Sequence, residues 1–452
     1  MVFDQLIGRF AKEAPVATMV RALMANVLSA EELNAIFRDG AERQRESTLL
    51  FSTIVELLSL AVSKAKPSLH AAYQTRREEL GVSAKALYDK VQGVELQVTR
   101  ELVRRTAERM NQVLSALEPD RPSPLAGYEI LVLDGSHLAA TQHRLKVTRR
   151  VRGGPLPGQM LVVLDPRRQL VVDVIPSEDG HAQERSLLLE LVDELRPGQL
   201  WIADRNFCTA MWLLEIALNE AFFIIRQHAG MRLELVGKPK FIEHGPTGEI
   251  WEQAAVLHGD AGESLELRRI TIKLDKPTED GDRELHLLTN LPPRVKALIV
   301  AEEYRTRWTI EAAFGELTLS LNGEVDTLAH PQAALLCYAI ALVTYNLLSV
   351  VRGVLRVTHG PETRDTLSFY YLADEVAGTW RGLEIAVPTL EWDRRFASLP
   401  PTTLAIELQK MARHVELRKY RKHPRGLKKK PPPRRGTKPH VSTARLLKKR
   451  TS

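Results

Sequence analysis

Apolar positions recur at helical spacing through roughly the first 118 residues. Leu49, Leu50, Ile54, Leu57, Leu58, Leu60 and Ala61 follow one helical face, and Leu102, Val103, Ala107, Met110, Val113 and Leu114 another. Between them, Leu80-Gly81-Val82-Ser83 reads as a helix stop followed by a capping serine. The short helix expected after Ser83 carries Lys85, Tyr88, Asp89 and Lys90, a polar face that suits a helix-turn-helix reader of DNA. An ordinary helical bundle would show the same turn.

Glu118-Pro-Asp-Arg-Pro-Ser-Pro124 is a linker by composition, and the pattern changes after it. Ile130–Leu133 is an apolar run that ends in Asp134. Met160–Leu164 and Leu170–Ile175 are further runs joined by a turn at Asp165–Gln169. Glu184–Glu194 predicts an amphipathic helix with Leu187, Leu188, Leu191 and Leu195 inward. Leu200–Ala203 is a fourth strand, ending in Asp204, and Met211–Asn219 is helical. This succession predicts an α/β sheet. Residues 222–291 read as mostly β, with Leu265–Leu274 and Glu284–Leu288 as a hairpin around Asp275–Asp282. A single long helix is expected from Val295 to about Ser320. Ala333–Val351 is nearly long enough to span a bilayer, but its Thr344, Asn346 and Ser349 point to a buried core helix.

Charge alters this picture at one end. The chain has 452 residues and a net charge of +7, yet Arg413–Arg450 holds 16 Lys and Arg against the single acid Glu416. That tail is therefore +15 and the rest of the chain −8. Such a polycation, broken by Pro431, Pro432 and Pro433, is expected to stay extended and to bind a polyanion. The two cysteines, Cys208 and Cys337, exclude a disulfide framework and a cysteine-built zinc site. No signal-peptide pattern opens the chain, which predicts a reducing cytoplasm.

Two acids, Asp134 and Asp204, end apolar strands, where open α/β sheets build their sites. Carboxylates held there can bridge divalent cations, which prefer hard oxygen ligands, and a two-metal site can cut or transfer a phosphodiester. A third acid, Glu311, completes a series with Tyr304 and Arg307, the three spaced by three and then four residues. On one helix these three share a face, so the arginine can meet a phosphate bound at the metal. A surface Arg–Glu pair is the plainer alternative. Glu316 lies about 140° around that helix from Glu311 and cannot share its face. His137, His143 and His181 match no compact zinc spacing.

Tyr304-Arg-Thr-Arg307-Trp308-Thr-Ile-Glu311 resembles the signature of the insertion-sequence-four family of DDE transposases: Tyr, two residues, Arg, three residues, Glu, six residues, Lys. Leu131-Val-Leu-Asp134-Gly-Ser-His137, Trp201-Ile-Ala-Asp204-Arg-Asn-Phe207 and Leu287-Leu-Thr-Asn-Leu-Pro292 are similar to its other motifs, and the likeness covers about 125–350. One position departs, because Thr318 stands where the family has its lysine.

The resemblance implies a multidomain α/β protein with an RNase H-like core. Its parts would be a helical DNA-binding domain (1–118), the core's first part (125–222), a β-rich insertion (223–292), the core's second part with the glutamate helix (293–330), a helical C-terminal region (331–412) and a basic tail (413–452). It implies that Asp134, Asp204 and Glu311 hold two Mg2+ ions, with Mn2+ as a substitute. Tyr304 and Arg307 would grip phosphate, and Trp251, the sole tryptophan of the β region, would hold a flipped base. Lys428, Lys429, Lys430, Arg434 and Arg435 are expected to contact DNA.

The implied partners are double-stranded DNA with terminal inverted repeats, target DNA and a second copy of the chain in the synaptic complex, with no membrane. The expected setting is a bacterial cytoplasm, with nucleoid association when DNA is bound. The implied reaction is cut-and-paste transposition through a DNA hairpin. Thr318 keeps two alternatives open: a DNA-binding protein without catalysis, and a nuclease of the same fold that does not join strands.

Overall fold

The computed structural model describes residues 2–45, 48–117, 125–278, 281–423 and 440–449. The linker Glu118–Pro124 and the candidate DNA contacts Lys428, Lys429, Lys430, Arg434 and Arg435 lie outside the described residues.

Helices fill the chain up to Leu117: α1 (Val2–Glu13), α2 (Pro15–Val27), α3 (Ala30–Gly40), α4 (Phe51–Val62), α5 (Leu69–Leu80), α6 (Ala84–Gln92) and α7 (Leu96–Leu117). The expected turn before α6 is present. Gly81 closes α5 in the left-handed region (φ 62°), where a side chain would be strained, and the Ser83 hydroxyl accepts from the Ala86 N–H. The polar face of α6 is less free than the sequence suggests. Lys85 pairs with Asp89, and the Lys90 ammonium sits 4.2 Å from the Phe37 ring centroid.

A nine-stranded mixed sheet follows. Its strands are β1 (Glu129–His137), β2 (Gln159–Asp165), β3 (Leu170–Ser177), β4 (Gln199–Ala203), β5 (Phe222–Arg226), β6 (Glu234–Gly245), β7 (Gly248–His258), β8 (Ser264–Leu274) and β9 (Glu284–Thr289). The order across the sheet is β3-β2-β1-β4-β5-β9-β8-β7-β6. β1, β2 and β3 are antiparallel, β4 and β5 run parallel to β1, and β9 returns antiparallel. The expected hairpin is β8–β9, in register at Lys273↔Glu284. β6 is the outer edge. Its pairing to β7 shifts register twice, and Leu235, Val236, Phe241 and Ile242 are exposed there.

Alternation along the strands divides the core. Ile130, Val132, Val162, Leu200 and Ile202 face the main helical core, while Leu131, Leu133, Leu161, Trp201 and Ala203 face a smaller one. That smaller core is closed by Glu184–Glu194 and α8 (Ala210–Leu218). Here one sequence expectation is corrected, because Glu184–Glu194 forms 3-10 turns rather than an α-helix. Leu187, Leu188, Leu191 and Leu195 still point inward, so burial holds the segment whichever helical pitch it takes.

The expected single helix from Val295 to Ser320 is also interrupted. α9 (Ala297–Tyr304) gives way to a 3-10 turn at Arg305–Arg307 before α10 (Trp308–Ser320) begins. α11 (Pro331–His359) is, among the described residues, the one helix apolar and long enough to cross a membrane, and its apolar stretch is wholly buried in the fold. The Asn346 amide in this helix pairs with both the N–H and the C=O of Val171 (2.8 and 2.7 Å). α12 (Phe369–Ala386), α13 (Thr389–Phe396) and α14 (Pro401–Ala412) complete the helical layer. Helices before Leu117 and after Pro331 share one hydrophobic core. A buried Arg100, on α7, forks onto Asp173 of β3 at 3.0 and 2.8 Å, which ties that layer to the sheet.

Candidate active site

Parallel pairing places the first two acids side by side. Leu133 of β1 is in register with Ala203 of β4, and Asp134 and Asp204 are the next residues on each chain. The sequence expects both at strand ends. Asp204 does follow the last residue of β4, but Asp134 lies within β1, which continues to His137 by pairing with β2. Both share the alternation of Val132 and Ile202, so they face the main core. α10 packs on that same face through Ile310 and Leu317, and brings Glu311 with it.

Arg307 joins this group. One Nη1 lies 2.8 Å from Glu311 Oε1 and 3.5 Å from Asp134 Oδ2. Burial works against its charge, but Tyr304, Glu311, Asp204 and Asp134 outweigh that and raise its pKa. Its Nε is buried with no hydrogen-bond partner among the described residues. Tyr304 is buried beside it, and burial pushes its hydroxyl up to about 12, so it is a neutral hydrogen-bonding group. The 3-10 turn therefore does not separate the three motif residues.

Asp134 is the most strained electrostatically. Burial raises its pKa to about 6. The Gly135 N–H (2.9 Å) and Arg307 pull it down, while Glu184 and Glu311 push it further up. At this carboxyl, burial outweighs the Gly135 and Arg307 contacts.

Glu184 is the residue that sequence reasoning missed. It comes from the opposite face of the sheet, through the gap left by Gly135, where a Cβ would stand 2.0 Å from Glu184 Oε1. It accepts from the Asn206 side-chain amide, two residues after Asp204, and lies 3.7 Å from His137 Nδ1. A glycine directly after Asp134 in an otherwise bulky strand was the available signal.

Other expectations fall elsewhere. Trp251 is on β7, four strands from β4 across the sheet, on the order of 20 Å at ordinary strand spacing. Its ring meets Phe241 edge-on at 5.4 Å and Lys273 at 4.4 Å, and its N–H donates to Glu249. The structure therefore does not bring Trp251 to the carboxylates. Trp308 flanks Arg307 instead, at 5.4 Å, and is 61% exposed. Glu316 is held by buried Arg352 at 2.9 and 3.0 Å. Thr318 is exposed, and near that helix end Lys64 Nζ donates to the Leu319 carbonyl at 3.3 Å. His137, His143 and His181 do not converge. His143 bonds to the Thr148 carbonyl and His181 to that of His440.

The donor set suits a hard divalent cation in kind, since it is all carboxylate and Asp134 is under-compensated. As arranged, Arg307 takes the neutralising role, and among the described residues no three acid, histidine or cysteine side chains form a ready metal-binding group.

Acids on adjacent strands of a mixed sheet, completed by a glutamate and an arginine from one helical segment, define a carboxylate site facing a basic side chain. Residues 125–347, close to half of the chain, match the family model for the transposase DDE domain. The match supports a DDE transposase, and with it a transposase function. No curated protein matches the chain.

Proposed function

We propose that the chain is a DNA transposase of the insertion-sequence-four type, cutting and joining the ends of a mobile element. The observation that carries this is the registered pair Asp134 and Asp204 with Arg307 and Glu311 closing over them. The strand order β3-β2-β1-β4-β5, three antiparallel then two parallel, supports an RNase H-like core, with β6–β8 as the insertion before the glutamate helix.

DDE transposases generally use divalent metal ions. Asp134, Asp204 and Glu311 are the residues that would hold magnesium or manganese. Bound there, such ions supply charge stabilisation and an activated nucleophile for phosphodiester cleavage. Arg307, with its buried unpaired Nε, would bind the scissile phosphate. Tyr304 would fix the arginine's orientation, its neutral hydroxyl oxygen accepting from the guanidinium. Cleavage, hairpin formation and joining need no serine or cysteine nucleophile, and both cysteines are buried. The partners in this reading are duplex ends with inverted repeats, target DNA and a second protomer.

The test is cleavage of a duplex carrying the ends that flank the gene, with magnesium. Asp134→Ala, Asp204→Ala and Glu311→Ala should each lose at least ~10³-fold, the scale of several kcal/mol of lost charge stabilisation. Manganese should also stabilise the wild type by about 2.7 kcal/mol at a hundredfold excess over Kd, read as a raised thermal midpoint, and leave Asp134→Ala unmoved. Equal inertness of wild type and Asp134→Ala would sink the reading. Thr318 and the Arg307–Glu311 pairing favour a second reading, a DNA-binding protein without catalysis. Strand joining of precut ends separates a transposase from a plain nuclease.

A further inference from the structure

We infer that the loop leaving the carboxyl end of β1, residues 138–154, is a docking surface for the phosphate backbone of duplex DNA, which it delivers to Asp134 and Asp204. This rests on the transposase reading and gives it a DNA path.

The loop carries Arg144, Lys146, Arg149, Arg150 and Arg152, all exposed, and no Asp or Glu occurs between Gly135 and Leu164. None of the five makes an ion pair among the described residues. Arg144 turns to the Gln142 amide, and Arg149 to the Arg144 carbonyl. This contrasts with α7, where Arg100, Arg104, Arg105 and Arg109 are all matched to acids. Five neighbouring cations without counter-charge repel one another unless a polyanion neutralises them.

Acids do lie close to the loop, but they hold its frame rather than its cations. Glu324 accepts from the Ala139 N–H at 3.1 Å. Asp326 takes the Gln142 N–H on its carbonyl and the Gln142 amide on its carboxylate, each at 2.9 Å. Buried Thr148 closes the loop on the Leu145 carbonyl (2.9 Å), and its own carbonyl meets the ring of His143 (2.6 Å). The cations are thus displayed on a fixed frame.

Two further features converge here. Tyr88 and Gln92 of α6 face Arg144 and Leu145 across a cleft of about 260 Å³, so the helix read as a DNA reader borders the loop. Val441–Ser442, just past the basic segment of the tail, pairs parallel with Pro155–Leu156, and the Val441 N–H donates to the Gly154 carbonyl at 3.0 Å. A site built from carboxylates repels phosphate, so a polyanion needs an adjacent source of positive charge to reach it. This loop starts four residues after Asp134, where β1 ends, at the same end of the sheet.

The experiment is fluorescence anisotropy of the full chain with a labelled duplex carrying the gene's flanking ends, in EDTA, over a series of KCl concentrations. Arg149→Ala/Arg150→Ala/Arg152→Ala should weaken binding by on the order of tenfold or more near 0.1 M salt. The slope of log affinity against log salt should fall by roughly 2–3, about 0.9 per lost phosphate contact. Replacing the same three with lysine should restore most of the affinity, and this variant together with the single Arg150→Gln carries the test if the triple alanine variant fails to fold. Equal affinity and slope for wild type and folded alanine variants would overturn the loop assignment and leave the transposase reading standing. A wild type that binds no duplex even at low salt would defeat the transposase reading, and this inference with it.

Discussion

The two halves of the sheet are built to different standards. β2, in the half that carries the acids, is buried at six of its seven positions. β6, at the far edge, has no buried position and ten exposed ones of twelve. The acids sit where both faces are packed, by α10 and α11 on one side and Glu184–Glu194 with α8 on the other. A packed strand fixes its side chains closely, which charge chemistry at a phosphate requires. Of the distal strands, β7 and β8 still bury Ile250, Leu257, Leu267 and Ile270, whereas β6 hangs on its ladder to β7.

That contrast can be broken experimentally. The largest effect should come from Trp212→Ala, which empties a fully buried site against Trp201 and should cost about 3–5 kcal/mol in urea denaturation. Trp251→Ala in the distal half should cost only about 1 kcal/mol, since a half-exposed edge-on pair and one cation contact are lost. Comparable costs would mean that the two halves share one stability.

Asn346→Leu should cost about 2–3 kcal/mol by the same measurement, because it leaves the buried N–H and C=O of Val171 unpaired. Under the proposed function, Gly135→Ala and Glu184→Gln should each lower cleavage by roughly tenfold or more while shifting the thermal midpoint little, as expected for a group that positions the proposed catalytic acids. Unchanged cleavage in both would reduce Glu184 to a structural residue. The smallest effect is expected for Val236→Thr on β6, within about 0.5 kcal/mol. Amide exchange should agree, fast along β6 and slow along β2.

Much of the site was legible because it follows from local rules. Alternation placed Asp134 and Asp204 beyond apolar runs, and the Tyr304, Arg307, Glu311 spacing survives the 3-10 turn because Arg307 still reaches Glu311. The turn itself, and the 3-10 pitch of Glu184–Glu194, were not legible, since the periodicity of buried leucines is nearly the same for both helices over two or three turns. Glu184 was hidden because it reaches the site across the sheet, a contact set by tertiary packing. Trp251 was singled out as the lone tryptophan of its region, which says nothing of distance. The packing of the N-terminal helices with those after Pro331 depends on contacts more than two hundred residues apart in sequence, such as the Ala17 N–H with Glu375 at 3.0 Å.

The free edge formed by β6 has a consequence for the protein's behaviour in concentrated solution. A long flat edge with exposed Leu235, Val236, Phe241 and Ile242 would ordinarily recruit other edges and nucleate aggregates. At its centre stand Gly237, in the left-handed region at φ 68°, then Lys238, Pro239 and Lys240, where the register slips. The proline offers no N–H, the bulge bends the strand and the lysines repel a like edge. Lys238, Pro239 and Lys240 should therefore act as gatekeepers of solubility, closing the apolar edge to indiscriminate stacking of copies.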